Sequence, residues 1–338
     1  MTAISDASSF NSVPTQRAHD TYSSLIEQEE ETASAGLSLP TGQSSVPIFS
    51  DGNATIALSP PAVDALQLAQ FMKNLGVSMF NASSLYATRW TEDRNEASTL
   101  AKLISDIAMQ EKKQLNTLRD LLHRSGGRDV PACRYLLPSN TTDLVSLLGA
   151  FKSVELGVFM SLSESLPPSD TSASILLSSI ASVAAKQNAL LRTYTNRNAS
   201  IESFDTPSSD TWAYNVALEF VQPGSCPLEL PLPILPMLTM NNKTAGYASP
   251  GANATFSWDV AGRSAASRSG KPLFVAWVNQ VGLPVFTSLT TLGDGMGTTR
   301  VPLGLSGTAF AVLTAQPGLR TIDELTDATL AGPVVVSL

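Results

Sequence analysis

The chain has 338 residues, of which 43% are hydrophobic and only 15% charged, so it can build at least one full-sized core and whole-chain disorder is excluded. With 21 Lys+Arg against 29 Asp+Glu the net charge is −8, which leaves no basic footprint for nucleic acid or an anionic membrane. Two cysteines and two histidines, His19 and His123, are too few for a zinc finger, an iron–sulfur cluster or a CxxC redox pair, and no GxSxG elbow accompanies the histidines. No apolar run reads as a membrane span, and the first residues lack the basic and apolar regions of a secretory leader.

Residues 1 to 60 are rich in Ser, Thr, Ala and Pro and carry the acidic run Glu27 to Glu31, which reads as a flexible tail. Near its end Pro47-Ile-Phe and Ala54-Thr-Ile-Ala read as an extended segment laid along a domain. Ser59-Pro60-Pro61 is a helix start, with a capping hydroxyl and prolines in the first turn. Helical periodicity then continues to about residue 222. The first helix (about 61–85) stripes Leu66, Ala69, Met72, Leu75, Gly76 and Met79; the second (about 94–123) stripes Leu100, Ile104, Ile107, Glu111, Gln114, Leu118 and Leu122. The third (about 141–166) uses Leu148, Phe151, Glu155, Val158 and Leu162, and the fourth (about 171–196) uses Leu176, Ile180, Val183, Gln187 and Leu190. Four long amphipathic helices predict a four-helix bundle over 61–222, with a shorter fifth helix at about 208–221.

Residues 223–236 are proline-rich and can be neither helix nor central strand, so they form a stiff linker or a packed extended segment. From 237 to 338 short runs of β-branched and aromatic residues recur every ten residues or so, at 254–260, 273–279, 284–290, 308–314 and 333–338, which predicts an immunoglobulin-like β-sandwich. Gly293 to Gly297 reads as a turn, since no helix or Lys-Ser/Thr follows to make it a phosphate loop.

The apolar stripes of the bundle are interrupted by Gly76, by Glu111 with Gln114, by Glu155 beside Lys152, and by Gln187 three residues after Ala184. Polar groups at core positions are costly unless paired, so several at one depth point to a shared cluster. Di-iron and di-manganese bundles place Glu on two helices and Glu-x-x-His on the other two, and the spacing here follows that plan without its ligands.

Residues 62–240 resemble the ferritin-like domain of fungal secreted stress-response proteins of the Rds1 type, related to desiccation-associated proteins. The resemblance is carried by Leu75–Phe80, Ile107–Gln114, Pro131–Pro138, Phe151–Phe159, Ile180–Gln187 with Leu191 and Arg192, Ala213-Tyr214 and Ser225-Cys226-Pro227. Pro250–Asp259 and Phe310–Thr314 resemble the β-tail that accompanies this domain. The resemblance implies a ferritin-like bundle followed by the sandwich, with metal-ligand positions at Gly76, Glu111, Gln114, Lys152, Ala184 and Gln187, of which only Glu111 keeps a ligating type. Glu155 could substitute by a one-turn shift, and two carboxylates beside Lys152 are too few for a dimetal site. No metal or other cofactor is therefore expected; instead Lys152 and Glu111, with Glu155, are expected to form an ion-pair network, the alternative being that these side chains, Lys152 above all, point outward at the edges of the stripes.

The resemblance also matches Cys133 and Cys226 to a family cysteine pair and implies a disulfide between them. With six Asn-x-Ser/Thr sequons, at Asn53, Asn81, Asn140, Asn198, Asn242 and Asn253, it implies an extracellular or cell-surface glycoprotein; a cytoplasmic location is the alternative. The leading functional expectation is a non-catalytic protein with a structural, stress-related or interaction role and a cell-wall or protein partner. The alternatives are a metal-dependent oxidase or manganese-catalase-like enzyme, and carbohydrate binding with Trp258 or Trp277 as a stacking platform.

Overall fold

The computed structural model describes residues 55–87, 94–137, 141–194, 202–241, 247–259, 261–262, 266, 270–293 and 295–338. The acidic run, His19, the segment 47–54 and the sequons at Asn53, Asn140, Asn198 and Asn242 lie outside these residues. Residues 51–338 form one compact unit. Its described residues include six α-helices and two antiparallel four-stranded sheets.

Four long helices come first: α1 (Pro60–Ala87), α2 (Arg94–Arg124), α3 (Thr141–Ser165) and α4 (Thr171–Tyr194). Ser59 caps α1, its hydroxyl accepting from the Ala62 N–H at 3.4 Å, and is itself held by Asp170, which accepts from the Ser59 N–H at 3.0 Å and from its hydroxyl at 2.5 Å. At the end of α2 the Gly127 N–H donates to the Leu122 carbonyl (2.8 Å) across Gly126, whose φ of 74° suits only a residue without Cβ.

These end contacts fix the topology. The Ile56 N–H donates to the Arg124 carbonyl, and Asp170 lies in the turn between α3 and α4. The start of α1, the end of α2, the end of α3 and the start of α4 therefore share one end of the bundle. The helices run up, down, down, up, and residues 125–137 run back along the bundle as a crossover. Gln67, Gln70 and Asn74, spaced along one face of α1, line this crossover: Gln67 donates to the Arg128 carbonyl, Gln70 Oε1 accepts from the Val130 N–H, and Asn74 donates to the Val130 carbonyl. Further along, Tyr135 pairs antiparallel with Val221, and Cys133 is joined to Cys226 by a disulfide.

Helix α5 (Asp210–Leu218) is capped by Ser209, whose hydroxyl accepts from the Trp212 N–H. It buries Trp212, Ala213, Tyr214 and Val216. The proline-rich stretch that follows is packed on α5 rather than spanning solvent: the Asn215 side chain donates to the Pro233 carbonyl and accepts from the Leu235 N–H.

The strands are β1 (Leu238–Met240), β2 (Asn253–Trp258), β3 (Phe274–Asn279), β4 (Val285–Ser288), β5 (Thr290–Gly293), β6 (Met296–Arg300), β7 (Thr308–Thr314) and β8 (Thr329–Ser337), with α6 (Ile322–Asp327) between the last two. One sheet has the order β1-β2-β6-β5 and the other β4-β3-β7-β8. Of the residues 293–297 that the sequence reads as a turn, Gly293 ends β5 and Met296 and Gly297 open β6, with Gly295 at a φ of 79° between the strands. The short strands β1, β5 and β6 and the helix α6, closed by a Thr321–Glu324 capping box, have no counterpart in the sequence expectation.

The central strands β3 and β7 of the β4-β3-β7-β8 sheet are buried on both faces. Val275, Trp277, Ala311 and Leu313 point into the space between the sheets, against Phe256 and Trp258. Their alternating neighbours Ala276, Val278, Phe310 and Val312 join the helical core, where Phe310 meets Trp212 at 6.1 Å. Gly157 on α3 allows the chain at 205–208 into this seam, since a Cβ there would stand 2.4 Å from the Thr206 carbonyl oxygen. Thr206 then bridges to the sheet, donating to the Thr308 carbonyl (2.6 Å) and accepting from the Gln280 N–H (2.8 Å). Bundle and sheets thus form three stacked layers with a shared seam.

The disulfide closes a chain separation of 93 residues. In the chain-entropy account such a bond contributes about 4 kcal/mol by restricting the unfolded chain. Cys133→Ser/Cys226→Ser should unfold at a correspondingly lower urea midpoint, and wild-type protein in reductant should match it; equal midpoints with and without the bond would show that the crossover is held by its hydrogen bonds alone.

Candidate functional site: a buried ring of four charges

At mid-depth in the bundle four charged side chains meet with no solvent exposure: Lys73 of α1, Glu111 of α2, and Lys152 and Glu155 of α3. They close a ring. Lys73 Nζ donates to Glu111 Oε1 and Oε2, both at 3.0 Å, and lies 3.1 Å from Glu155 Oε1. Lys152 Nζ lies 2.8 Å from Glu111 Oε1 and donates to Glu155 Oε2 at 2.5 Å. Each carboxylate oxygen therefore has an ammonium within 3.1 Å, and the charges sum to zero.

Local sequence makes the space. Gly76, one turn after Lys73, faces the ring, and a Cβ there would stand 2.6 Å from Glu111 Oε2 and 3.2 Å from the Phe151 ring. The walls are aromatic: Lys73 Nζ sits 5.3 Å from the Phe159 ring centroid, and Lys152 Nζ sits 4.8 Å and 5.6 Å from those of Phe80 and Phe151. Ring faces attract ammonium groups and partly replace their lost hydration.

The ring titrates unevenly. For Lys73 burial opposes the charge, but Glu111 and Glu155 outweigh it and raise the pKa above the ordinary lysine value. Burial also opposes ionisation of Glu111, yet Lys152 and Lys73 prevail and lower its pKa. Glu155 goes the other way, raised by burial and by Glu111 despite the two lysines.

Of the positions singled out in the sequence, Glu111, Lys152 and Glu155 come together with Gly76 beside them. Ala184 and Gln187 of α4 are buried but contribute no charge; Gln187 donates to Gln110 Oε1 at 2.9 Å. Gln114 is half-buried one turn below Glu111 and makes no ring contact among those observed. Lys73 was missed. It lies on the spacing Ala69, Lys73, Gly76, Phe80, all buried, so the helical period carried the signal; a lysine is so seldom buried that it reads as the wet edge of the stripe.

Among the described residues no group of three or more His, Cys, Asp or Glu stands close enough to hold a metal ion. The donor chemistry argues the same way. Both carboxylates are engaged by ammonium groups, and two fixed positive charges in a dry site repel a divalent cation. His123 is exposed in the last turn of α2.

The expectation of an exposed tryptophan platform is overturned. Trp277 is fully buried, edge-on to Phe256 at 5.9 Å, with its indole N–H donated to Thr287 Oγ1, and Trp258 is 7% exposed in the same core. Both rings alternate inward along their strands, which is what the period of two requires of large apolar side chains. A shallow surface cleft of about 40 Å³ opens at the seam beside Ser153, Asn188, Arg192 and Thr308. Its polar groups satisfy one another: Asn188 and Thr308 each bond Ser153 at 3.0 Å, and Arg192 grips Glu202 with two bonds of 2.8 and 3.0 Å.

No protein-family model and no curated protein matches the chain.

Removing one lysine leaves an uncompensated buried carboxylate, an error that typically costs about 3–5 kcal/mol. Lys73→Met should therefore lose that much stability in urea titration. Because the Lys73 pKa is raised on folding, its contribution is complete below the ordinary lysine value of about 10.4 and is lost as pH rises through the folded value. Wild-type stability should fall in that alkaline window with a component absent from Lys73→Met; parallel curves for the two proteins would refute the ring as its source.

Proposed function

We propose that the chain is a metal-free ferritin-like protein with a non-catalytic, structural or interaction role, in which an ion-pair ring occupies the heart of the bundle where related folds hold two metals. The observation that carries this reading is the ring itself: every oxygen of Glu111 and Glu155 faces an ammonium group. The up-down-down-up order with one long crossover agrees with the ferritin-like class. At the positions of the family ligands stand Gly76, Lys152, Ala184 and Gln187, and each supports a site rebuilt around charge neutrality rather than coordination.

The sheets support an immunoglobulin-like assignment. The orders β1-β2-β6-β5 and β4-β3-β7-β8 correspond to the A-B-E-D and C′-C-F-G arrangements of that class, with buried Trp277 on the strand corresponding to C. The Cys133–Cys226 disulfide fits an oxidising compartment, and no described helix is long and apolar enough to cross a membrane. Asn81 and Asn253 are exposed, as glycan acceptors in a secreted or cell-surface protein would be. Together with the resemblance to fungal stress-response proteins, these features favour an extracellular scaffold whose partners dock on its surface.

Elemental analysis tests this directly. Protein purified without chelator from iron- and manganese-supplemented medium should carry far less than one metal per chain, and its thermal midpoint should not move when Mn²⁺ or Fe²⁺ is added. About two metals per chain would overturn the reading in favour of an oxidase or a manganese-catalase-like enzyme.

A further inference from the structure

We propose that two copies of the chain pair through strand β4, antiparallel about a two-fold axis at Phe286, so that the β4-β3-β7-β8 sheet continues into that of its partner. The inference concerns the open edge of the sandwich and stands apart from the buried ring.

β4 is the outer strand of its sheet. The Leu289 N–H donates to the Leu273 carbonyl at 2.9 Å, and the ladder continues through Thr287 opposite Val275 and Val285 opposite Trp277. Antiparallel bonding alternates with a period of two, so Val285, Thr287 and Leu289 turn their backbone groups to β3, while Pro284, Phe286 and Ser288 turn theirs to the open edge. The Ser288 carbonyl is taken by the Thr299 hydroxyl at 2.9 Å. The Phe286 N–H and carbonyl, the Ser288 N–H and the Pro284 carbonyl have no partner among the described residues. Pro284 has no N–H to offer. This set is its own complement. With Phe286 opposite the partner's Phe286, the two residues exchange both of their bonds, and each Ser288 N–H meets the partner's Pro284 carbonyl. The donor that proline lacks then falls opposite the carbonyl that Thr299 already satisfies. Sliding the pairing one way leaves a Phe286 carbonyl facing proline; sliding it the other way brings Pro284 opposite Thr290, where the chain has left for the other sheet.

The side chains agree with the backbone. In this register Leu283 lies beside the partner's Leu289 and Val285 beside the partner's Thr287, cross-strand neighbours that favour pairing. Val281 and Leu283 are each 62% exposed and Val285 40%. Half of the exposed large apolar side chains among the described residues fall between Val281 and Leu303, a concentration that marks an interface rather than ordinary surface. Between Lys271 and Asp294 the sequence has no charged residue. An edge strand that is to stay unpaired is normally guarded by lysine or another charge, and none guards β4. Two copies of a chain of net charge −8 repel one another, so they associate where neither presents charge. The occupant is a second copy because a two-fold axis at Phe286 satisfies both edges with identical bonds and closes the assembly at two.

Sedimentation equilibrium of the full chain at about 1 to about 100 µM tests this, since an association of micromolar strength turns from monomer to dimer across that range. The expected result is a mass that rises from 35.6 kDa to twice that value and no further. Hydrogen exchange at the Phe286 and Ser288 amides should be slower at the upper concentration than at the lower. The double variant Leu283→Lys/Ser288→Pro should remain monomeric throughout. Because the N–H it removes faces away from β3, its urea midpoint at the lowest concentration should match that of the wild type. If the variant does not fold, exchange at the two wild-type amides decides the matter. A wild-type chain that stays at 35.6 kDa, a dimer that leaves those amides unprotected or survives the double variant, or growth beyond two chains overturns the proposal.

Discussion

Electroneutrality in a dry place is the constraint on which this molecule depends. Four ionised groups at zero exposure are tolerable only as a set, because each carboxylate is stabilised by two ammonium groups and each ammonium by two carboxylates. Their arrangement couples the bundle across its halves. Helices α1 and α2 form one antiparallel pair and α3 and α4 the other; Lys73 reaches from the first to Glu155 in the second, and Lys152 reaches back to Glu111. A shift of any of the three helices by one turn would separate charges that nothing else in the core can satisfy. The ring therefore fixes register where Leu, Ala and Phe side chains would accept several neighbouring packings. Its cost is visible in the sequence as Gly76, a residue that helices disfavour, retained where any Cβ would strike Glu111.

The same economy of space shapes the seam between bundle and sheets. Strands β3 and β7 have no wet face: their apolar side chains pack alternately against the other sheet and against the helical core. Backbone polar groups at such a seam must still be satisfied, and the side chains of Thr206 and Asn279 do this for the Thr308 and Ser306 carbonyls, while the Thr308 hydroxyl bonds that of Ser153. Gly157 lets the chain at 205–208 approach α3 closely enough for these bonds to form. The sandwich is thus fastened to the bundle by hydroxyls, in keeping with a chain rich in Ser and Thr and poor in charge.

Much of this was legible in the residues. Helical period located all four long helices to within a few residues, because long amphipathic stripes bounded by Ser59-Pro60-Pro61 and Ser125-Gly126-Gly127 leave little freedom. Glu111, Lys152 and Glu155 stood out because they interrupt apolar stripes. Lys73 did not, since its partners lie 38 and 82 positions away and a lysine on the helical period reads as the wet edge of the stripe. The double burial of one sheet was also present in the sequence and misread. Val275-Ala-Trp-Val278 and Ala309-Phe-Ala-Val-Leu313 are continuous apolar runs, the pattern of a strand covered on both sides, whereas a sandwich exposed on its outer face would alternate. Strand β1 has only three residues and β5 and β6 are short and rich in Thr and Gly, so their pairing is dictated by neighbours rather than by their own composition.

A single long crossover is the least constrained part of an up-down-down-up bundle, because α2 and α3 run parallel and no tight turn can join them. Here the crossover is secured at three successive points by different means. Side chains of α1 bind its first part, the disulfide ties Cys133 to the segment after α5, and backbone bonds pair 134–136 with 220–222. The order matters. Hydrogen bonds to Gln67, Gln70 and Asn74 can form as soon as α1 and α2 pair, whereas the disulfide requires residues about ninety positions later, after α3, α4 and α5 have been placed. The covalent bond therefore records a topology already chosen by packing, and the buried ring, which needs α3 in register against α1 and α2, is what makes that choice unique.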